Sequence, residues 1–252
     1  MILRSIFFLL CPFLTLLSET EFNLLPAHEL SGIKEKYSAS EKSLTSRLVK
    51  NPTEVSSYSS RGDARLFLGD FFGARMDYEK MINLNPKLEV SHWRLGIAYF
   101  YLSDFSKAAR QFEIYHQYDN IDRENGIWRF MSQYKESGLK VARKGLLNYS
   151  KDDRPPYPWL YSMFAGDITP EEVFIKIKEE NFPEKYALRV QFHAFFYVGI
   201  FLELTGENPS RALEYLAQAT TNKYGRQTGT YMWHVARLYH SRLFDSIQEK
   251  KK

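Results

Sequence analysis

Small and aromatic residues recur at a fixed distance along the middle of the chain. Gly62 and Gly96 lie 34 positions apart, and so do Ala74 and Ala108. The same offset relates Tyr78 to Phe112, Met81 to Tyr115 and Pro86 to Asn120. A recurrence of this length predicts a repeated unit built from two helices.

The residue types at these positions have a physical reason. Glycine and alanine stand where the two helices of one hairpin cross closely, since a larger side chain would push them apart. The aromatic residue fills the space between successive hairpins, and the proline ends the second helix. The length and the order of these positions resemble the tetratricopeptide repeat (TPR). We therefore predict an all-α fold, a TPR-type α-solenoid of antiparallel helix hairpins with degenerate central repeats and a C-terminal capping helix.

The repeat spacing divides the chain into units, and an ordinary helical bundle is the alternative. A helical lead-in, 21–54, is predicted before the first unit, and a basic tail, 247–252, after the last. The units are 55–88, 89–122, 123–156, 157–183 and 192–225, followed by the cap, 226–246. Phe130 replaces the glycine in the third unit, which is one reason to call the central repeats degenerate.

The beginning of the chain has the pattern of a secretory signal peptide, residues 1–20. A single basic residue, Arg4, precedes an apolar run from Ile6 to Leu17, and polar residues follow. We expect cleavage between Ser18 and Thr20, and a location that is secreted, periplasmic or in the cell envelope. An uncleaved membrane anchor and a first core helix are the alternatives.

Composition excludes several classes of function. The net charge is only +4 and the basic residues are scattered, so a nucleic-acid footprint is not expected. The one cysteine, Cys11, lies inside the apolar run. A mature chain without that segment has no thiol, which excludes disulfides, cysteine–metal sites and a cysteine nucleophile.

Four stretches carry a more specific resemblance. They are 124–130, 153–155 with 164–167, 195–199 and 231–237. On these, residues 55–245 resemble an uncharacterised group of TPR proteins that is distantly similar to the bacterial cell-envelope lipoprotein NlpI. That resemblance implies an envelope adaptor that brings a protease or a cell-wall hydrolase to its client.

No catalytic motif is present in the sequence. None of the six histidines stands four residues from another, and there is no His-Glu-x-x-His, Gly-x-Ser-x-Gly or phosphate-binding loop. We therefore expect a protein that is not an enzyme, with no catalytic residues, metal or cofactor. The alternative is an enzyme or an obligate enzyme subunit with a site around the third repeat, at Trp128, Arg129, Asp153 and Arg154.

The concave side of the predicted solenoid is the expected binding surface. Helical periodicity places an aromatic and apolar set of side chains there. The set is Phe67, Trp93, Ile97, Phe100, Tyr101, Ile127, Tyr134 and Phe196. We predict that this groove holds a peptide or helix of another protein. Alternatively, the chain's own N-terminal helix or a twin subunit covers it, the latter in a structural homodimer.

Two further features of the binding surface follow from residue types. The groove lacks the lysine and asparagine pattern with which chaperone-binding TPRs clamp a terminal carboxylate, so that class of partner is not expected. Arg129, Arg143, Asp153 and Arg154 lie in or beside one predicted hairpin. They are candidates for either a structural ion-pair cluster or an anion site.

Overall fold

The computed structural model describes residues 25–151 and 154–250, and within these ranges the regular structure is helical without strands. Thirteen α-helices are described. They are α1 Ala27–Lys50, α2 Val55–Leu68, α3 Phe71–Leu84, α4 Trp93–Tyr101, α5 Phe105–Tyr118, α6 Arg123–Ser137, α7 Leu139–Lys144, α8 Tyr157–Ala165, α9 Pro170–Glu179, α10 Glu184–Thr205, α11 Pro209–Thr221, α12 Lys223–Thr228 and α13 Tyr231–Glu249. A 3₁₀ helix, Pro86–Ser91, precedes α4.

Successive helices pack against one another in hairpins, which confirms the predicted all-α, TPR-like solenoid. The first two units, 55–88 and 89–122, contain the pairs α2/α3 and α4/α5. In each unit an aspartate begins the second helix. Asp70 accepts a hydrogen bond from the backbone N–H of Gly73, and Asp104, 34 positions later, accepts one from Lys107. These caps satisfy backbone donors that a helix start leaves unpaired.

The repeated glycines make room for the repeated aromatic rings. A Cβ atom on Gly62 would lie 2.5 Å from Cε1 of Tyr78, and one on Gly96 would lie 2.7 Å from Cζ of Phe112. The aromatic residue thus packs over the glycine of its own hairpin. Tyr78 also contacts the next unit, where its ring centroid lies 4.9 Å from that of His92. The aromatic position therefore joins helices both within and between hairpins.

Helix α10 is the central core helix. It begins at Glu184, eight residues before the predicted start of the fifth unit at residue 192. It has 22 residues, and its most apolar 18-residue stretch has a mean hydropathy of 1.3, which would allow it by length and composition to cross a membrane. However, 67% of its most apolar stretch is buried inside the fold, as expected for the core helix of a folded domain.

The last helix does more than cap the final hairpin. α13 packs along α11 and also reaches the first unit, where it contacts α2. The concave side of the solenoid is therefore occupied by the chain itself. The predicted signal peptide, 1–20, lies outside the described residues, as do Asp152, Asp153 and the last two lysines of the tail.

Candidate functional site: the concave groove and helix α13

The predicted groove residues lie in the interior of the solenoid. Trp93 and Tyr134 are half-buried. The other six are buried: Phe67, Ile97, Phe100, Tyr101, Ile127 and Phe196. Helix α13 contacts four of the eight, which are Phe67, Trp93, Tyr101 and Phe196, so it occupies much of the groove.

Aromatic contacts seat the first turns of α13 on α2 and α4. The ring of His234 stacks on Phe67, with the ring centroids 4.2 Å apart. Tyr231 meets Phe67 and Trp93 edge-on, at centroid distances of 5.0 and 4.8 Å. Offset and edge-to-face arrangements of this kind are the favoured geometries of aromatic pairs.

Hydrogen bonds between side chains and the main chain hold the middle of α13. The hydroxyl of Tyr101 donates to the carbonyl oxygen of Val235 over 2.9 Å. In the opposite direction, Arg237 donates to the carbonyl of Phe67 over 2.7 Å, and Arg242 donates to the carbonyl of Tyr101 over 3.0 Å. Two of these three bonds come from arginine side chains of α13, and the third uses its main chain.

The N-terminal helix contributes a smaller part of the cover. The hydroxyl of Tyr37 in α1 hydrogen-bonds Nε2 of His234 at 2.9 Å. The Tyr37 ring also contacts Phe67 edge-on at 5.0 Å. Helix α1 thus covers one edge of the groove, as the alternative of a self-covered groove expects, while α13 occupies the middle.

The far side of the groove is formed by α6 and α10. Ile127 of α6 is fully buried, and the ring of Tyr134 lies 6.3 Å from that of Phe130. Phe196 of α10 meets Tyr239 of α13 edge-on, with the centroids 6.3 Å apart. The predicted lining therefore extends from the first unit to the fifth, and α13 contacts both ends of it.

α13 does not fill the groove completely. A cavity of about 230 Å³ remains beside its C-terminal half. Its lining comes from α4, α5 and the turn between them, and from α6, α10 and α13. The residues are Phe100, Tyr101, Ser103, Phe105, Lys135, Glu203, Tyr239, Arg242, Leu243 and Ser246. Lys135 and Glu203 form an ion pair of 2.9 Å across it, and Glu203 also accepts a hydrogen bond from Tyr239.

A partly buried ion pair joins the first two units beneath α13. Both Nη1 contacts of Arg94 go to the carboxylate of Asp63, at 2.8 and 2.6 Å. Tyr78 donates to the same carboxylate over 2.7 Å, and its oxygen lies 3.2 Å from the hydroxyl of Tyr231. Burial raises the pKa of Asp63, while Arg94 and Tyr78 oppose that rise. The network links α2, α3, α4 and α13.

A second polar network ties the third, fourth and fifth units together. The hydroxyl of Tyr197 donates to Glu124 over 2.5 Å and accepts from the indole N–H of Trp128 over 3.0 Å. Nδ1 of His193 lies 2.8 Å from the hydroxyl of Tyr157 and 3.9 Å from Glu124. Burial lowers the pKa of His193 to about 3, so its ring is neutral near pH 7. We interpret the network as a structural tie between hairpins.

Sequence reasoning did not predict this network as a unit. Glu124, Tyr157, His193 and Tyr197 come from distant stretches of the chain. The available signal was that three of the four family-like stretches lie close to these residues. Without a fold, that coincidence does not identify contacts.

The structure gives each arginine of the predicted ion-pair cluster its own partners. Arg129 donates to the carbonyl of Gly145 and pairs with Glu113 at 3.6 Å. Arg143 donates to the carbonyl of Phe164 over 3.4 Å. Arg154 lies 3.5 Å from Glu124 and 3.9 Å from Asp122. Asp153, the fourth member of the prediction, lies outside the described residues.

The described residues contain no group of three or more histidine, cysteine, aspartate or glutamate side chains that is placed to hold a metal ion. His92, His193, His234 and His240 are each buried in helix interfaces instead.

Comparison with known proteins adds one weak similarity. No family model matches the sequence. Over 142 residues the chain is 26% identical to the Hsp70-Hsp90 organizing protein 3 of Arabidopsis thaliana, an alignment that covers 56% of this chain and 21% of that protein. The chain thus spans about a fifth of the length of this relative. The match supports a TPR relationship.

Proposed function

We propose that this protein is a protein-binding TPR adaptor or scaffold that holds a helix of a partner protein in its concave groove. One observation carries the proposal: the groove already seats a helix, α13, through aromatic stacking and hydrogen bonds to the main chain. Burial of an amphipathic helix in an apolar groove is a recurring mode of protein recognition. The surface is therefore shaped and lined for such a ligand.

The similar Arabidopsis protein supports the general class of function. Its name describes a protein that organises Hsp70 and Hsp90, and thus one that works on other proteins. We do not extend those two partners to this chain, because its groove lacks the lysine and asparagine pattern of a carboxylate clamp. The partner proposed here offers a helix.

Export to the cell envelope is part of the proposal. It rests on the signal-like residues 1–20, with Arg4 before an apolar run, and on the resemblance to NlpI-like envelope proteins. N-terminal sequencing of the protein purified from its own cells tests it. A mature chain that begins between Ser18 and Glu21 in an envelope fraction supports export, whereas an intact Met1 in a cytosolic fraction contradicts it.

Site-specific photo-crosslinking tests which surface meets the partner. A photo-reactive phenylalanine analogue replaces Phe105, which lines the open cavity of the groove, in one variant. In a matched variant it replaces Phe72, an aromatic residue of α3 that is 59% exposed. Both substitutions keep a six-membered ring at the site, so neither removes a helix contact through truncation.

The two positions give opposite expectations. We expect the analogue at position 105 to crosslink a second protein in cells, and the analogue at position 72 to give no such product. Mass spectrometry then identifies the partner and the crosslinked peptide. Crosslinks from position 72 alone would place the binding surface on the outer helices and contradict the groove.

A further inference from the structure

The bonds between α13 and the solenoid follow the repeat. Arg237 binds the carbonyl of Phe67, and Arg242 binds the carbonyl of Tyr101. Phe67 and Tyr101 are 34 positions apart and so occupy the same place in consecutive repeats, at the C-terminal ends of α2 and α4. The last carbonyls of a helix lack intrahelical partners and carry partial negative charge, which favours a cation there.

The spacing of the two arginines suits this arrangement. Five residues advance an α-helix by about 7.5 Å and turn it by about 140°, so the two side chains leave α13 in different directions. Arg237 accordingly meets the end of α2, and Arg242 meets the end of α4. The first two units thus present main-chain carbonyls at equivalent positions, and α13 meets them with two arginine side chains.

The interface between α13 and the solenoid contains more polar groups than an ordinary hydrophobic core. His234 and His240 are buried, and His234 Nδ1, His240 Nε2 and Arg237 Nε have no hydrogen-bond partner in the described structure. Unpaired buried polar atoms cost free energy. In addition, the cavity of about 230 Å³ leaves the C-terminal half of α13 incompletely packed. Both features weaken the docking of α13 relative to a well-filled apolar helix interface.

We propose that α13 is a replaceable, built-in occupant of the groove, and that the partner displaces it with an amphipathic helix of the same pattern. That pattern is two arginines five residues apart with aromatic side chains on the groove-facing side. The inference rests on the proposed function and adds the chemistry of the partner and a competition between it and α13. Only molecules with an undocked α13 can bind the partner. The apparent association constant is therefore the intrinsic constant multiplied by the fraction of molecules that are open.

The test uses the full chain and a labelled synthetic peptide with the sequence of residues 230–249. A variant with Arg237→Gln and Arg242→Gln loosens the chain's own helix. The control variant, Arg110→Gln with Lys144→Gln, removes the same number of positive charges from exposed positions on α5 and α7. A second peptide carries the two arginine-to-glutamine changes. Fluorescence anisotropy measures binding, and circular dichroism checks that each variant is folded.

We expect the loosened variant to bind the unaltered peptide at least about tenfold more tightly than the wild type or the control does, because more of its molecules are open. The altered peptide should bind weakly to all three proteins. Equal binding of the unaltered peptide to all three, or none to a folded loosened variant, would overturn the inference. A doubled mass in light scattering, from exchange of α13 between two copies, would overturn a partner protein as the occupant.

Hydrogen exchange on the wild type decides the matter if the loosened variant does not fold. A lower free energy of opening for the amides of α13 than for those of α10 supports a replaceable helix. Exchange of both helices only on global unfolding would overturn it. The proposed function is tested separately by the crosslinking at position 105. If the yield of crosslinked partner is the same in the wild type and the loosened variant, the adaptor role stands, but α13 does not compete with the partner.

Discussion

The hydroxyl of Tyr101 donates a hydrogen bond to the carbonyl oxygen of Val235, 134 positions further along the chain. It joins the last residue of α4 to the middle of α13, across the concave side of the solenoid. Both groups are buried, and burial raises the pKa of the Tyr101 hydroxyl, which stays protonated as a donor near pH 7. This single bond shows how the end of the chain closes onto its second repeat.

Removing that hydroxyl should loosen α13. In Tyr101→Phe the ring still packs against Phe71, on which it stacks with a centroid distance of 4.4 Å, but the Val235 carbonyl keeps only its intrahelical partner. We expect a loss of about 0.5–1.5 kcal/mol in the free energy of unfolding, the net value of one hydrogen bond. Chemical denaturation measures the loss, and hydrogen exchange should show it as faster exchange in α13. Unchanged exchange in α13 would contradict this account.

The repeat glycine should not tolerate a methyl group. In Gly96→Ala the new Cβ would lie 2.7 Å from the Phe112 ring, so we expect a destabilisation of about 1–3 kcal/mol despite the better helix propensity of alanine. The thermal midpoint measures it, and adding Phe112→Leu should restore part of the loss.

Gly32 provides the matched control for this substitution. It lies in the exposed helix α1, and a Cβ atom added there would face open space, with no contact within 4 Å. Gly32→Ala should therefore raise stability by up to about 1 kcal/mol through helix propensity alone. A similar loss in both variants would argue against the steric explanation.

The ion pair between Asp63 and Arg94 should matter more than exposed pairs. Asp63→Asn leaves the guanidinium of Arg94 without its charge partner at a site where each side chain is only about a quarter exposed. We expect a cost of about 2–4 kcal/mol, towards the lower end of the range for broken buried pairs because solvent reaches the site. Arg47→Ala, which breaks the pair with Glu54 at a 61% exposed arginine, should have a much smaller effect, because solvent screens exposed pairs. Equal losses in denaturation experiments would contradict the distinction.

Stability should decrease in mild acid. Burial lowers the pKa of His193 and His234 to about 3, and that of His92 and His240 to about 4. An unfolded histidine has a pKa near 6.5, so below that pH the unfolded chain binds more protons. The stability that comes from keeping these histidines neutral is therefore fully present above about pH 6.5. It is lost as the pH falls towards 4, where the free energy of unfolding decreases by up to about 1.4 kcal/mol per pH unit for each histidine.

Urea denaturation between about pH 7 and about pH 5 measures this dependence, and His240→Phe provides the comparison. The replacement keeps a ring next to Phe244, on which His240 stacks, but removes one titrating group. We expect the free energy of unfolding of this variant to fall less steeply with acid. The difference in slope should correspond to the uptake of about one proton fewer on unfolding. A wild type whose stability is flat across this range would show that these histidines titrate normally in the folded state.

The repeat positions could be recognised from the sequence because they report local geometry. A glycine at 62 or 96 and an aromatic residue 16 positions later meet within one hairpin, so their contact depends only on a short stretch of chain. Helical periodicity likewise placed Phe67, Trp93 and Tyr101 on the inner side of their helices. These features follow from the fixed rise and turn of an α-helix, and the polar helix Ala27–Lys50 follows from the same rules.

The sequence by itself therefore determined the helical class, the hairpin repeat and the identity of the inner side chains. Only the tertiary structure decided that α13 lies in the groove and that Arg237 and Arg242 bind carbonyls one repeat apart. It also decided that one network brings together Glu124, Tyr157, His193 and Tyr197. The curvature of a solenoid is the sum of small rotations between successive hairpins. No local pattern encodes that sum, and it alone brings the last helix back to the first unit.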